Sequence, residues 1–254
     1  AKKAQKEAKL FGNVAELATS EPDNYTFIPK GYDIPDTLKY FHITSNNTIY
    51  GTQYHGYPVS PVPYIIDMSS DMFSRQLDYN QFDLIYAGAQ KNIGPAGVTM
   101  VIVKESLLGK VNRQIPTMMD YRTHIKEGSM FNTPPVFPIY VTMLTLRWIK
   151  ERGLAKIEAD NKAKADLLYG AIDSNPLFKG TVAKEDRSWM NVNFIMEDRS
   201  LEPEFLQFAK ENKCIGLAGH RSVGGMRASI YNALGIESVQ FLVNLMDEFA
   251  KRKG

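Results

Sequence analysis

The N-terminal half of the chain alternates short apolar runs with polar segments that contain glycine and proline. Each run is bounded by small or polar residues and is too short for an ordinary helix, which is typical of a buried strand. The segments between the runs, such as 72–80, have room only for short helices or loops. The runs that we predict to be strands are 40–44, 64–67, 84–88 and 98–103.

The apolar positions take a helical spacing after Pro138. Proline is favoured in the first turn of a helix and glycine just beyond its last, so Pro138 and Gly153 mark the expected bounds of one helix. A second, more charged helix is expected over 154–172. We predict that Trp148 belongs to the core and does not stack on a cofactor. The apolar positions of the first helix are Val141, Leu144, Trp148 and Ile149.

The segment beyond Asn175 predicts a separate, small α/β domain. Its last element, over 236–249, has the apolar stripe of an amphipathic helix, formed by Ile236, Val239, Val243, Met246 and Phe249. We place the domain boundary so that the two domains are 1–146 and 147–254. The other elements expected in the small domain are a strand over 189–196, a helix over 202–210, and strands over 214–217 and 226–231.

The remaining segments are polar. Residues 1–10 predict a helix with a solvated basic face, and 20–40 predict a loop. The segment 113–128 breaks the periodic pattern, so we expect a surface loop or a dimer contact there.

Composition narrows the class of protein. The 254 residues are 44% hydrophobic and 23% charged, with a net charge of +2, which gives no support for nucleic acid or a membrane surface as a partner. No apolar run approaches the roughly 20 residues of a membrane-spanning helix. The single cysteine, Cys214, excludes an internal disulfide, argues against a cysteine-based metal site and is compatible with the cytoplasm.

Candidate chemistry lies at two predicted strand ends. Lys91 follows the strand 84–88 in a turn that contains Gly94 and Pro95, and Asp67 ends the strand before it. The carboxyl ends of neighbouring parallel strands meet at one crevice, where open α/β sheets bind ligands. An amine there can bond to an aldehyde cofactor, and an acid can keep a pyridine nitrogen protonated. A solvated loop lysine and a helix-capping or ion-paired acid stay open as simpler interpretations.

Five motifs, in order along the chain, resemble those of the phosphoserine aminotransferase family, pyridoxal-phosphate enzymes of the class V aminotransferase group. The resemblance runs from end to end. The motifs are His42-Ile-Thr-Ser-Asn-Asn-Thr48-Ile-Tyr-Gly51, Ile66-Asp67-Met-Ser-Ser70, Ala87-Gly-Ala-Gln90-Lys91-Asn-Ile-Gly-Pro-Ala-Gly-Val98, Phe131-Asn132-Thr133-Pro-Pro135 and Gly219-His220-Arg221-Ser-Val-Gly-Gly-Met-Arg227-Ala-Ser229.

The resemblance implies the fold of the pyridoxal-phosphate transferases of fold type I. That fold has a mostly parallel sheet in a large domain, followed by a small C-terminal α/β domain. Compared with the family, the chain lacks roughly the first hundred residues, a length that suits the domain sizes of such enzymes. The missing part is expected to contain the loop that binds the cofactor phosphate, the aromatic residue that stacks on the pyridine ring, and an arginine for the substrate carboxylate.

The resemblance also implies roles in binding pyridoxal 5'-phosphate. Lys91 would bond to the cofactor and Asp67 would hold its ring nitrogen, and these two are the expected catalytic residues. Thr48 would donate to the phenolate oxygen, and Gln90 would bind the phosphate. Without the resemblance, Thr48 is better interpreted as a residue that caps a turn.

Asn132 and Thr133 would, by resemblance, reach the phosphate of the neighbouring subunit's cofactor. The active site would then be shared across a homodimer. The simpler interpretation, a plain loop before a helix, stays open for these two residues.

The second predicted site surrounds Gly224 and Gly225, which permit a sharp reversal before a strand. His220, Arg221 and Arg227 flank the reversal, and arginine can bind two oxygens of a phosphate at once. A solvated hairpin tip is the simpler interpretation of any one arginine. In register with the family, the three residues would bind the phosphate of the substrate.

The implied reaction transfers an amino group from glutamate to 3-phosphohydroxypyruvate, giving 2-oxoglutarate and O-phosphoserine for serine biosynthesis. A related phosphorylated substrate of pyridoxine biosynthesis stays open. Alternatives are a serine–pyruvate type aminotransferase, which needs no phosphate site, and a non-catalytic α/β fragment. A cysteine desulfurase is disfavoured, because Gln90 stands where those enzymes usually have histidine and Cys214 lies in a predicted strand. No metal site is expected.

Overall fold

The strands form two sheets, one in each half of the chain, in a computed structural model that describes residues 2–221 and 223–253. The first sheet has the order β1 (Phe41–Thr44), β2 (Tyr64–Asp67), β3 (Leu84–Gly88) and β4 (Thr99–Val103). β1, β2 and β3 are parallel, whereas β4 is antiparallel to β3. The prediction of a mostly parallel sheet is therefore confirmed.

The second sheet is antiparallel and has the order β5 (Phe178–Gly180), β6 (Asn191–Met196) and β7 (Met226–Ser229). The predicted strand over 214–217 is wrong. Gly216 has φ +83°, which turns the chain out of the extended conformation, and only an isolated bridge between Ala218 and Met226 follows. The short apolar run there reflects Leu217, which is buried in the core without belonging to a strand.

Six helices complete the described part of the chain. They are α1 (Lys2–Ala8), α2 (Tyr121–Lys126), α3 (Val136–Arg152), α4 (Leu154–Ser174), α5 (Glu202–Glu211) and α6 (Ile236–Lys253). None of the helices in the described ranges is long and apolar enough to cross a membrane. Short 3-10 helices lie at Glu21–Asp23, Tyr79–Gln81, Glu105–Leu107, Thr117–Met119, Lys184–Asp186 and Arg199–Leu201.

The structure adds one helix where a loop was expected and places two apolar helix residues outside the core. The segment 113–128 is not only a loop, because the Asp120 side chain accepts from Arg122 N and caps α2. Leu144 on α3 is 42% exposed and Ile236 on α6 is 43% exposed, so neither is in the core. Trp148 packs against the core but is only half-buried.

Each sheet has its own hydrophobic core, and α4 contributes to both. Ile149 of α3 and Ile157 of α4 pack with β1, β2 and β3. From Ala165 onwards α4 packs with the second sheet, α5 and α6. Because α3 runs through residue 147, no loop marks the predicted boundary, and the division at 147 stays a prediction.

Candidate active site

The two faces of the first sheet differ in composition. The residues of β1, β2 and β3 alternate between buried and half-buried positions, as the period of a strand requires. The buried face is apolar and forms the core. The half-buried face presents His42, Thr44, Asp67 and Tyr86, with Asp67 aligned to Thr44 on one side and to Tyr86 on the other.

Lys91 lies in the turn that follows β3, close to the end of this polar face. Its ammonium Nζ donates to Thr48 Oγ1 at 2.7 Å. Burial lowers the pKa of Lys91, and the charge of Arg227 lowers this pKa further, whereas Asp67 and Asp71 oppose the shift. A lysine with a lowered pKa has a larger fraction of neutral amine, the form that attacks an aldehyde carbon.

Asp67 is held at the end of β2 by its own turn. Its Oδ1 accepts from Ser69 N at 2.9 Å and from Ser69 Oγ at 2.6 Å. Ser69 Oγ in turn accepts from Gly88 N at 3.1 Å, which ties the carboxylate to β3. These contacts orient Asp67 and leave it next to Lys91, in agreement with the expected meeting of the two strand ends.

The turn that carries Thr48 is attached to the second sheet. Asn193 Nδ2 of β6 donates to Ile49 O at 2.5 Å, and Arg227 Nη1 of β7 donates to Thr48 O at 3.4 Å. Gly51 closes the turn with φ +84°, and a Cβ there would lie 3.0 Å from Asn191 O. The small sheet therefore determines where the Thr48 hydroxyl lies.

Gln90 is exposed at the rim of the site, beside Lys91. Its amide folds back over Gly88, where a Cβ would come within 2.6 Å of Gln90 Oε1. The glycine therefore leaves room for the Gln90 side chain at the mouth of the site.

Asn132 and Thr133 lie just before α3, and both are exposed. Asn132 Nδ2 donates to Thr133 O at 3.2 Å. Within the described residues neither one hydrogen-bonds to Lys91, Thr48 or Asp67. The structure does not bring them into the hydrogen-bonded site of their own chain.

The segment 219–225 folds back on itself before β7. His220 O accepts from Val223 N at 2.8 Å and from Gly224 N at 2.9 Å. Arg221 is exposed on this turn. Arg227 is half-buried beside Lys91 and Thr48, and its Nε is buried without a hydrogen-bond partner among the described residues.

A buried polar network behind the site was not predicted. Asn46 Nδ2 donates to Ser70 Oγ at 2.9 Å and to Asn191 Oδ1 at 2.8 Å, and Ser188 Oγ donates to Asn46 Oδ1 at 2.5 Å. The network joins β6 to the turns after β1 and β2. Asn46 and Ser70 lie inside two of the motifs, which is the signal that marks them. Ser188 and Asn191 lie more than a hundred residues from Asn46 and belong to none of the five motifs, so the sequence does not mark them.

The residues present fit a pyridoxal-phosphate cofactor. An amine, a hydroxyl and a carboxylate, from Lys91, Thr48 and Asp67, line one side of the sheet end. Thr44 Oγ1 and Arg227 Nε are buried without partners in the described part of the chain, as expected of atoms that face a polar ligand. The described residues contain no group of His, Cys, Asp or Glu that could hold a metal ion.

Comparison with known proteins agrees with this site. The family model "Aminotransferase class-V" matches residues 13–242. The chain is 58% identical over 255 residues to a curated phosphoserine aminotransferase of Phocaeicola vulgatus, covering 99% of this chain and 72% of that protein. A phosphoserine aminotransferase structure from Bacillus circulans subsp. alkalophilus has a TM-score of 0.96 at 47% identity, covering 100% of this chain and 72% of that one. A pyridoxal-phosphate-bound phosphoserine aminotransferase structure from Trichomonas vaginalis has a TM-score of 0.91 at 39% identity, covering 97% and 72%.

The fold and site define a pyridoxal-phosphate-dependent aminotransferase of fold type I. The chain belongs to the class-V aminotransferase family, and within that family its relatives at high identity are phosphoserine aminotransferases. The predicted family, fold class and cofactor are confirmed.

Proposed function

We propose that the chain transfers the amino group of glutamate to 3-phosphohydroxypyruvate, which gives O-phosphoserine and 2-oxoglutarate in serine biosynthesis. The observation that supports this most directly is the Lys91 amine, hydrogen-bonded to Thr48 in one site with Asp67 and Arg227. The relatives reported above are named for the same activity. One free cysteine supports a cytoplasmic location.

When bound, pyridoxal phosphate supplies an aldehyde carbon that bonds to amines and a ring that accepts the electron pair of the substrate's α-carbon. Lys91 would hold that aldehyde through its amine when no substrate is bound. With its amine free again, Lys91 would carry a proton between the substrate's α-carbon and the cofactor's C4′ atom. Its lowered pKa favours both tasks.

Three further residues of this chain are proposed to orient the cofactor. Asp67 keeps the ring nitrogen protonated through an ion pair. Thr48 donates to the phenolate oxygen, which lies next to the aldehyde that Lys91 attacks. Gln90 binds the phosphate group at the rim of the site.

The three basic residues near β7 are proposed to bind the anionic groups of the substrates. Arg227 is half-buried beside Lys91, so its guanidinium suits a group close to the reacting carbon. Arg221 is exposed on the preceding turn, next to the half-buried His220, and both suit the more distant phosphate. A site that contains both Arg227 and Arg221 would favour phosphorylated over unphosphorylated keto acids.

A second copy of the chain is the proposed partner. The start of α3 exposes large apolar side chains, including Phe137 at 72% and Val136 at 68%, and contiguous exposed apolar surface marks interfaces. Asn132 and Thr133 adjoin this surface. We propose that they bind the cofactor phosphate of the other subunit. The exposed apolar residues are Met130, Phe131, Val136, Phe137, Ile139 and Tyr140.

The first test is borohydride reduction of the purified protein, followed by peptide mass spectrometry. We expect a phosphopyridoxyl adduct on Lys91. Lys91→Ala should lose the adduct and at least about a thousandfold of turnover, because it removes both the nucleophile and the proton carrier. Its circular dichroism spectrum should be unchanged. Retained transamination in Lys91→Ala would refute the proposed role.

A further inference from the structure

Lys164 of α4 is a buried lysine outside the cofactor site. It is 2% exposed, and its ammonium Nζ donates to the carbonyl oxygens of Ile230 at 3.0 Å, Tyr231 at 2.7 Å and Leu234 at 3.0 Å. An ammonium has three N–H donors, so the three carbonyls use all of them. Burial lowers the pKa of Lys164 to about 8, so the charged form still predominates at pH 7. The turn that follows β7 is therefore folded around a buried cation.

The same turn carries Asn232, whose contacts extend towards the first sheet. Asn232 N donates to Asn92 Oδ1 at 3.1 Å, and Asn232 Nδ2 donates to Phe73 O at 3.0 Å. Asn161 lies one helical turn before Lys164 on α4, and its Nδ2 donates to Asn232 Oδ1 at 2.8 Å. The backbone N–H and both ends of the side-chain amide of Asn232 are thus engaged, which fixes the turn in one position.

Asn92 is the residue through which the turn reaches the cofactor site, because it directly follows Lys91. It is 5% exposed, and its Nδ2 lies 3.5 Å from Ser70 O and 3.6 Å from Met190 Sδ. The bond from Asn232 N is therefore the shortest polar contact of this side chain among the described residues. A shift of Asn92 would also move the backbone that carries Lys91.

We propose that Lys164 is a positioning residue for Lys91, and that it acts through the turn after β7 and through Asn92. This inference deepens the proposed function, since it rests on the role given there to Lys91. The ammonium of Lys164 holds the carbonyls of the turn, the turn presents Asn232 N to Asn92, and Asn92 holds the chain at Lys91. The C-terminal half of the molecule thereby sets how deeply the Lys91 amine is buried.

A positioning role differs from a purely structural one in its effect on Lys91. Lys164→Met would leave three buried carbonyls without a donor, so the turn would have to rearrange. Asn92 would then lose its fixed partner, and Lys91 would become more accessible to water. Burial is the largest cause of the lowered pKa of Lys91, so we expect this pKa to rise in the variant.

The test is a double-mutant cycle on the apoenzyme, measured as the pH dependence of amine modification on the peptide that contains Lys91. Lys164→Met and Asn92→Ala should each move the midpoint to higher pH, by at least about 0.5. In an Asn92→Ala background, Lys164→Met should cause no further shift, because the link to Lys91 is gone. A direct effect of the Lys164 charge on Lys91 would persist in that background, so the cycle separates the two.

Two further variants complete the experiment. Lys162→Met is the matched control, because Lys162 lies on the same helix in an exposed ion pair with Asp166, and it should leave the midpoint unchanged. Asn232→Ala keeps Lys164 but removes the side chain that binds Phe73 and Asn161. It should shift the midpoint in the same direction as Lys164→Met, and it replaces that variant in the cycle if Lys164→Met does not fold.

Urea unfolding of the same variants separates stability from positioning. Lys164→Met should destabilise the protein in both backgrounds, because the three carbonyls lose their donor whether or not Asn92 is present. A midpoint that is unchanged in Lys164→Met, or that shifts equally in both backgrounds, would overturn the inference and leave Lys164 a structural residue. The same outcomes in Asn232→Ala would overturn it where that variant is used.

The proposed function is judged by a separate result, because the midpoint is measured without cofactor. A phosphopyridoxyl adduct on another lysine would refute the role of Lys91 in the reaction, whatever the midpoint shows. An adduct on Lys91 together with an unchanged midpoint in the variants would refute only the positioning role of Lys164.

Discussion

Two half-buried cations, Lys91 and Arg227, lie close enough in the site for the charge of one to act on the other. Arg227 lowers the pKa of Lys91, in the same direction as the larger effect of burial. Asp67 acts in the opposite direction. The lysine is therefore tuned by the same residues that are proposed to bind the substrate and the cofactor ring.

This balance predicts opposite shifts for two substitutions. Arg227→Met should raise the pKa of Lys91, because it removes a like charge, and Asp67→Asn should lower this pKa. The measurement is the pH dependence of amine modification of the apoenzyme, followed on the peptide that contains Lys91. Shifts in the same direction for both variants would show that packing, and not charge, controls the lysine.

Arg221 is predicted to set the preference for a phosphorylated keto acid. Arg221→Ala should raise the KM for 3-phosphohydroxypyruvate about tenfold or more, because charge-assisted hydrogen bonds to phosphate are lost. The KM for glutamate should change little. Arg252→Ala, at a surface ion pair with Glu248, is the control. Equal losses for both substrates in Arg221→Ala would argue against a phosphate site.

The turn between Asn47 and Gly51 is an element whose position depends on a distant strand. It projects from the end of β1, but its Thr48 and Ile49 carbonyls accept hydrogen bonds from β7 and β6. Gly51 is needed twice, for its positive φ and for the close approach of Asn191 O. The position of Thr48 is thus a property of the packing between the sheets.

Gly51→Ala should therefore destabilise the protein by about 2 kcal/mol more than a glycine replacement that meets only backbone strain. Gly31→Ala is the matched control, since Gly31 has φ +72° and an added Cβ there would meet nothing within 4 Å. Urea unfolding of both variants gives the comparison. Equal losses of unfolding free energy in the two variants would mean that the Gly51 turn can move away from β6 at no energetic cost.

Sequence predicts elements well where a local signal is strong. The runs that became β1 to β4 are short, apolar and bounded by turn residues, and each observed strand lies within one residue of its predicted bounds. The segment 214–217 has a similar apolar character but fails as a strand, because the positive φ of Gly216 is invisible in the pattern. Ile236 and Leu144 fit the apolar stripes of their helices, yet both are exposed. The spacing of apolar residues shows which face of a helix they share, but not how far along the helix that face is covered by the core.

Across the whole molecule, the site is assembled from contacts that no local pattern contains. Lys91, Asp67 and Thr48 were expected together from strand ends and motifs. The contact of Arg227 with Thr48 joins residues 179 positions apart, and that of Asn46 with Asn191 spans 145. The contact of His42 with Tyr86 was not predicted, because it joins β1 to β3 across β2 and so depends on strand order, which the sequence leaves open.

A mixing experiment tests whether two subunits share the site. Lys91→Ala and Asn132→Ala are each expected to be impaired, for different reasons. In a mixed dimer one site would combine an intact Lys91 with an intact Asn132 from the other subunit, so an equal mixture should recover about a quarter of wild-type activity. The measurement is transamination after the two variants are unfolded and refolded together.

Absence of recovery would mean that Asn132 serves the site of its own subunit.

Phe137→Asp should also move the protein towards a monomer in sedimentation analysis, because it places a charge in an apolar interface. Val59→Asp, at a side chain 93% exposed and outside the proposed interface, should leave the assembly unchanged.

The network around Asn46 also determines when the site can form during synthesis. Ribosomes release the chain from its N-terminus, and the partners of Asn46 and Thr48 in β6 and β7 emerge more than a hundred residues later. Until then the nascent chain has Lys91 and Asp67 but lacks the residues that fix the turn from Asn47 to Gly51. We therefore expect cofactor capture to follow the emergence of β6 and β7, so a ribosome-bound chain stalled before residue 191 should bind pyridoxal phosphate only weakly.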